Sequence, residues 1–169
     1  MFNFTGELEV SKSWLNRALI IQSFDHSQIQ IEGDSSADDV VLMKKALRDF
    51  QNGEKIFFAG LGGTTFRFLA FRLSRESGSF FIHADDKLLK RPQYEIVHIL
   101  QQLGVIAEIK SDGISIVSQG WKNKKMSLEV SLENSSQFIS ALLLSSICLP
   151  FDLEIHLTGK SRSEDYLIY

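Results

Sequence analysis

Apolar positions recur along the chain with two periods. Phe2, Phe4, Leu8 and Val10 alternate with polar neighbours and predict a first strand over 2–10. From Ser13 the period lengthens, and Leu15, Ala18, Leu19 and Ile21 predict a helix that ends near 24–27. Ile29 and Ile31 then alternate with glutamine and glutamate as a half-exposed strand before a turn over 33–36. Asp38 and Asp39 open a second helix whose buried stripe is Val40, Met43, Leu47 and Phe50, closed by Asn52-Gly53. A short apolar strand over 55–59 leads into the glycine turn Gly60-Leu61-Gly62-Gly63, and a third helix follows to about Leu73.

The second half reads in the same way. A strand over 79–84 and a loop over 85–89 lead to Lys90-Arg91-Pro92, with Pro92 at the first position of a helix built on Ile96, Val97, Ile99, Leu100 and Leu103. Gly104 ends it, and segments 105–109 and 114–117 form a hairpin about Asp112-Gly113. After a basic surface loop over 119–125, a strand over 126–132 precedes a helix that is apolar almost all round from Phe138 to Leu149. Pro150 stops that helix, and Leu153, Ile155 and Leu157 form a last strand. Short alternating strands beside internally apolar helices predict sheets outside and helices within, with a two-layer α/β sandwich as the simpler alternative.

Composition narrows the class. The 169 residues are 44% hydrophobic and carry Lys+Arg 18 against Asp+Glu 21, a charge of -3 that provides no global field for nucleic acid. No stretch approaches the length of a membrane span and no signal-peptide pattern opens the chain, so the expected location is cytoplasmic. Cys148 is the single cysteine, which excludes an intrachain disulfide; its apolar surroundings predict a buried, inert thiol. Arg72 and Arg75 lie at the end of their helix, where cations suit the dipole. The Asp38-Asp39 pair suits a helix start better than a metal site, since no second cluster of oxygen ligands accompanies it.

The candidate chemistry lies at three helix openings. Ser11-Lys12-Ser13-Trp14-Leu15-Asn16-Arg17 places two cations where the dipole already favours anions, a conflict that a phosphate or carboxylate would resolve. Gly60 to Arg67 and Asn134-Ser135-Ser136-Gln137 open their helices with hydroxyls, and either Ser11 or Ser13 can cap the first. Either the three openings converge on an oxyanion, or they are ordinary caps that never meet. The glycine spacing matches neither a dinucleotide fingerprint nor the phosphate loop of nucleotide hydrolases.

Taken together, Ser11 to Arg17, Ala37-Asp38-Asp39-Val40, Gly60 to Arg67, Lys90-Arg91-Pro92 and Ser135-Ser136-Gln137-Phe138 resemble the amino-terminal portion of the enolpyruvyl transferase family, in its 3-phosphoshikimate 1-carboxyvinyltransferase branch. The resemblance implies an inside-out α/β barrel lobe of repeated βαβαββ units, helices enclosed by sheets. Residues 1–169 would be one incomplete lobe, with 1–10 belonging in a complete enzyme to the opposite lobe as an alternative. It implies phosphoenolpyruvate and shikimate 3-phosphate as ligands, no cofactor and no metal. Lys12 would contact phosphoenolpyruvate and the acceptor oxygen, Ser13 and Arg17 the shikimate carboxylate, and Ser135 and Ser136 the 3-phosphate. Gln137 would lie against the ring, while Arg91 and Gly62-Gly63-Thr64 would position phosphoenolpyruvate.

Leu61 stands where the family usually has asparagine, and Glu9-Val10 replaces the common proline-glycine. The family's acid and base carboxylates come mainly from a carboxy-terminal lobe that this chain lacks, so the isolated chain is expected to bind substrate weakly or to be inactive. The alternatives are a noncatalytic or split-enzyme partner domain and a segment of the related UDP-N-acetylglucosamine enolpyruvyl transferase, which the arginine-proline and double-serine-glutamine motifs fit less well.

Overall fold

The structure, a computed structural model, describes residues 10–25, 29–122, 126–133 and 135–159. The strand expected over 2–10 falls almost wholly outside them. The elements are α1 (Lys12–Gln22), α2 (Asp38–Gln51), β1 (Ile56–Phe58), α3 (Gly63–Ser74), β2 (Ser77–His83), α4 (Asp86–Leu89), α5 (Tyr94–Gln102), β3 (Ile106–Lys110), β4 (Gly113–Gln119), β5 (Met126–Ser131), α6 (Ser136–Ser145) and β6 (Leu153–Thr158).

Strand pairing follows from the connections. β1 and β2 are joined through α3 and β5 and β6 through α6, and both pairs are parallel, as a helical crossover requires. β3 and β4 are joined by two residues and pair antiparallel, and β4 also pairs antiparallel with β2. The result is a four-stranded mixed sheet in the order β1-β2-β4-β3 and a separate two-stranded sheet, β5-β6.

The barrel expectation is overturned. Closing a sheet requires each edge strand to find a partner. Among the described residues β1 and β3 remain the two edges of one open sheet, and β5-β6 stands apart from it. The Ile29–Ile31 stretch that was expected to supply a strand is irregular. Its Ile29 carbonyl is taken by the Gln22 side chain at 2.9 Å, a local bond that replaces a ladder bond.

The core is centred on α3, which is buried from Thr65 to Ser74. α1, α2, α5 and α6 pack around it, and its remaining side meets β2 and β4. Phe57, Phe80, Ile82, Ala107, Ile114 and Ile116 form the inner face of the sheet. Gly113 permits that packing, because a β-carbon there would collide with the Ile82 carbonyl oxygen. Its role is close approach within β4; the hairpin turn is Ser111-Asp112, one residue earlier than expected.

Other local expectations need correcting. The segment expected as a loop over 85–89 contains the one-turn helix α4, capped by the Asp85 carboxylate, which accepts from the Lys87 N–H. Pro92 precedes the N-cap Gln93 of α5 and is not its first helical residue. α6 ends at Ser145, and Leu143 on it is 49% exposed, so the helix is not enclosed on every side. Beyond it Cys148 is exposed, with a positive φ of 59°, contrary to the buried thiol expected. Arg75 accounts for the early stop: its guanidinium donates to the Ser145 carbonyl and, at 3.1 Å, to that of Ile147. Trp121, expected in a surface loop, is buried and donates from its indole N–H to Ser74 Oγ at 2.9 Å.

Candidate functional site

The amino-terminal ends of five helices, α1, α2, α3, α4 and α6, gather around the glycine turn. On one side lies an open cleft of about 650 Å³ lined by Lys12, Asp38, Asp39, Gly60, Leu61, Gly62 and Asp85, among others. Lys12 Nζ stands 3.6 Å from Asp39 Oδ2, and Thr65 donates its hydroxyl to the Asp39 carbonyl at 2.8 Å. These contacts tie the openings of α1, α2 and α3 together. Gly60 has φ 55°, and its carbonyl accepts from the Asp85 N–H at 2.9 Å, which brings the start of α4 to the same place. Leu61 is 54% exposed on the cleft wall.

On the other side, Gly63 adjoins the opening of α6. A β-carbon at Gly63 would lie 3.4 Å from Arg67 Nη1 and 3.7 Å from Gln137 Oε1. Arg67 itself donates from Nη1 to Gln137 Oε1 at 2.5 Å and from Nε to Gln93 Oε1 at 3.2 Å, and its guanidinium lies 4.6 Å from the Phe138 ring centre. Ser135 caps α6 by accepting the Gln137 N–H at 3.2 Å. Ser136 and Thr64 are half-buried in the first turns of α6 and α3.

Ser13 and Arg17 pair with each other on α1. Arg17 Nη1 donates to the Ser13 carbonyl at 2.8 Å and to its hydroxyl, and the guanidinium lies 5.5 Å from the Phe68 ring of α3. Ser11 occupies the N-cap position of α1 without a side-chain capping bond, so neither serine caps the helix. Gly62 likewise begins α3 without a side-chain cap. No described side chain caps the first-turn backbone N–H groups of either helix, which leaves donors for an anion to accept.

The electrostatics favour anions at the Arg67 side. Burial pushes the Arg67 guanidinium down to about 10, with a further contribution from the charge of Arg91. Arg67 is still protonated at neutral pH, and the exposed Arg91 is close enough to repel it. Burial also lowers Arg17. Among the described residues no carboxylate forms an ion pair with Arg67 or Arg91, and no group of acidic, histidine and cysteine side chains could hold a metal. No described helix is long and apolar enough to cross a membrane.

The contacts thus link Lys12 through Asp39 to Thr65, and Gly63 and Gln137 through Arg67, whose charge also meets that of Arg91. Sequence reasoning missed three residues at or beside the site. Arg67 closes the Gly60 to Arg67 motif with no local pattern to name its partners. Gln93 follows Lys90-Arg91-Pro92 with no local pattern to mark it. Asn16, inside the first motif, is fully buried, and neither its amide oxygen nor its nitrogen has a hydrogen-bond partner among the described residues.

Residues 26–166 match the family described as EPSP synthase (3-phosphoshikimate 1-carboxyvinyltransferase). The chain is 32% identical over 167 residues to the 3-phosphoshikimate 1-carboxyvinyltransferase of Bacteroides fragilis strain YCH46, covering 96% of this chain and 40% of that protein. It is 29% identical over 170 residues to the corresponding protein of Pseudomonas syringae pv. tomato, covering 88% of this chain and 41% of the relative. Among solved structures, an EPSP synthase from Acinetobacter baumannii matches with a TM-score of 0.69 at 20% identity, over 93% of this chain and 41% of that one, a likeness of fold. The chain spans about two fifths of the length of the curated relatives it matches.

Proposed function

Since the chain belongs to the EPSP synthase family, we propose that it forms the part of an enolpyruvyl transferase site that holds shikimate 3-phosphate and one end of phosphoenolpyruvate. In this reading the shikimate hydroxyl adds to the central carbon of phosphoenolpyruvate while the methylene takes a proton. Loss of a proton from the new methyl group then expels phosphate and regenerates the double bond.

The observation that carries the reading is the meeting of helix openings at the glycine turn, with Lys12 on one side and Arg67, Arg91 and Gln137 on the other. Two guanidiniums that repel each other are relieved by an anion between them, and uncapped first turns supply N–H donors. Arg91 and the Gly62-Gly63-Thr64 turn are assigned to phosphoenolpyruvate. Ser135 and Ser136 are assigned to the 3-phosphate and Gln137 to the ring. The Ser13-Arg17 pair is assigned to the ring carboxylate, which can accept from the guanidinium in place of Ser13. Lys12 is assigned to the reacting oxygen, where an ammonium stabilises developing negative charge. The proton donor and acceptor for the addition are assigned to the part of the enzyme beyond these residues, so the chain alone binds without turnover.

Calorimetric titration of the 169-residue chain tests this. Shikimate 3-phosphate binds more tightly than inorganic phosphate, and Lys12→Ala or Ser135→Ala weakens it about tenfold or more, the effect of losing one charged hydrogen bond. Equal weak binding of shikimate 3-phosphate and phosphate removes the substrate-site reading. Mixing the chain with the carboxy-terminal portion of a relative and both substrates restores phosphate release, whereas either part alone gives none.

A further inference from the structure

Arg67 is only 7% exposed, and a guanidinium has donors alone, so its side-chain neighbours must turn oxygens towards it. Gln93 does so at 3.2 Å and Gln137 at 2.5 Å. Gln93 is itself held, because its amide nitrogen donates to the Leu88 carbonyl at 3.0 Å. Phe138 covers one face of the guanidinium at 4.6 Å. The plane of Arg67 is therefore fixed from two sides, and the Gln137 carboxamide has one orientation, with Oε1 on Arg67 and Nε2 directed away from it. An isolated glutamine can exchange its donor and acceptor ends by a half-turn of the amide; this one is locked.

Resting on the reading above that Gln137 lies against the bound ring, we propose that Arg67, held by Gln93, is a positioning residue that makes Gln137 a hydrogen-bond donor. At this point the site selects a ligand atom that accepts, an oxygen lone pair, and rejects a group that only donates. The same contact joins the loop that carries Arg91 to the helix opening that carries Ser135, through Leu88, Gln93, Arg67 and Gln137 in turn.

Titration with shikimate 3-phosphate and urea unfolding of the same 169-residue samples test the proposal. Gln137→Glu gives Arg67 a carboxylate, so the unfolding midpoint rises. It also replaces N–H donors with a negative charge, so affinity falls about tenfold or more, further than in Gln137→Leu. Arg67→Leu weakens binding in the otherwise native chain and costs clearly less in the Gln137→Leu background, whereas a merely structural role costs the same in both. Arg67→Lys recovers only part of the affinity, since one ammonium does not reproduce the two-armed fork. If the native chain binds and Gln137→Glu binds equally well, or if Arg67→Leu costs the same in both backgrounds, the proposal is overturned while the site reading stands. If the native chain does not bind shikimate 3-phosphate, the site reading fails and this proposal with it.

Discussion

The Lys12 ammonium lies 3.6 Å from the Asp39 carboxylate, joining the first turn of α1 to the first turn of α2 on the cleft wall. The Lys12 side chain is 63% exposed, so the pair is solvent-screened and contributes little to stability. Asp39→Asn changes the unfolding free energy by less than about 1 kcal/mol in urea. It also frees Lys12 for the ligand, so affinity for shikimate 3-phosphate holds or rises, while Lys12→Ala lowers it. Loss of binding in Asp39→Asn equal to that in Lys12→Ala contradicts this.

Arg72 has a structural role that its place at the end of a helix did not disclose. It donates to Ser23 Oγ at 2.7 Å, to the Ser23 carbonyl at 3.1 Å and to Glu76 at 2.8 Å, and its guanidinium lies 4.2 Å from the Phe24 ring. It thereby pins the end of α1 to α3. Arg72→Leu removes the donor of the Ser23 carbonyl and hydroxyl oxygens and the cover over Phe24, and destabilises by about 2 kcal/mol in urea unfolding. Glu76→Gln, which leaves the Ser23 contacts in place, costs less than about 1 kcal/mol.

Asn16 is buried, and both side-chain amide atoms are unpartnered among the described residues. Burial of an unsatisfied amide is unfavourable, and leucine has nearly the same shape. Asn16→Leu raises stability by about 1–2 kcal/mol in chemical unfolding. A fall of that size shows instead that the amide is satisfied in the folded protein.

Asp34 secures the segment before α2. Its carboxylate accepts from Lys44 and, at 2.5 Å, from the Ser35 N–H, and these bonds hold its pKa below the ordinary 3.8. A depressed folded-state pKa means the contribution is present above the unfolded value and is lost as pH falls through the folded one. The stability gap between the native chain and Asp34→Asn is therefore present at pH 7 and shrinks as pH drops below about 3.8. An equal gap at pH 7 and pH 3 contradicts it.

Periodicity was a good guide wherever burial alone decides structure. Of the stripe Val40, Met43, Leu47 and Phe50, the first three are buried in α2 and Phe50 is partly buried against the core. It failed where a single side-chain bond to the backbone decides. Nothing near Ile29 says that Gln22 takes its carbonyl, and nothing near Ser145 says that Arg75 ends the helix there. Barrel closure depends on which strand edges meet across the chain, which no local pattern encodes. At the site, the glycine turn and the serine-glutamine opening were legible because hydroxyls and glycines mark helix starts. The bond from Arg67 to Gln137 spans 70 positions and left no local trace.

In the proposed site, separate helix openings make one receptor for a phosphorylated ring acid. Its most direct test is a ¹⁵N–¹H correlation spectrum of the 169-residue chain titrated with shikimate 3-phosphate. Saturable shifts of the Ser13, Arg17, Ser136 and Gln137 backbone amides with one common dissociation constant are expected, and none with equimolar inorganic phosphate. Shifts confined to a single helix opening, or matched by phosphate alone, contradict it.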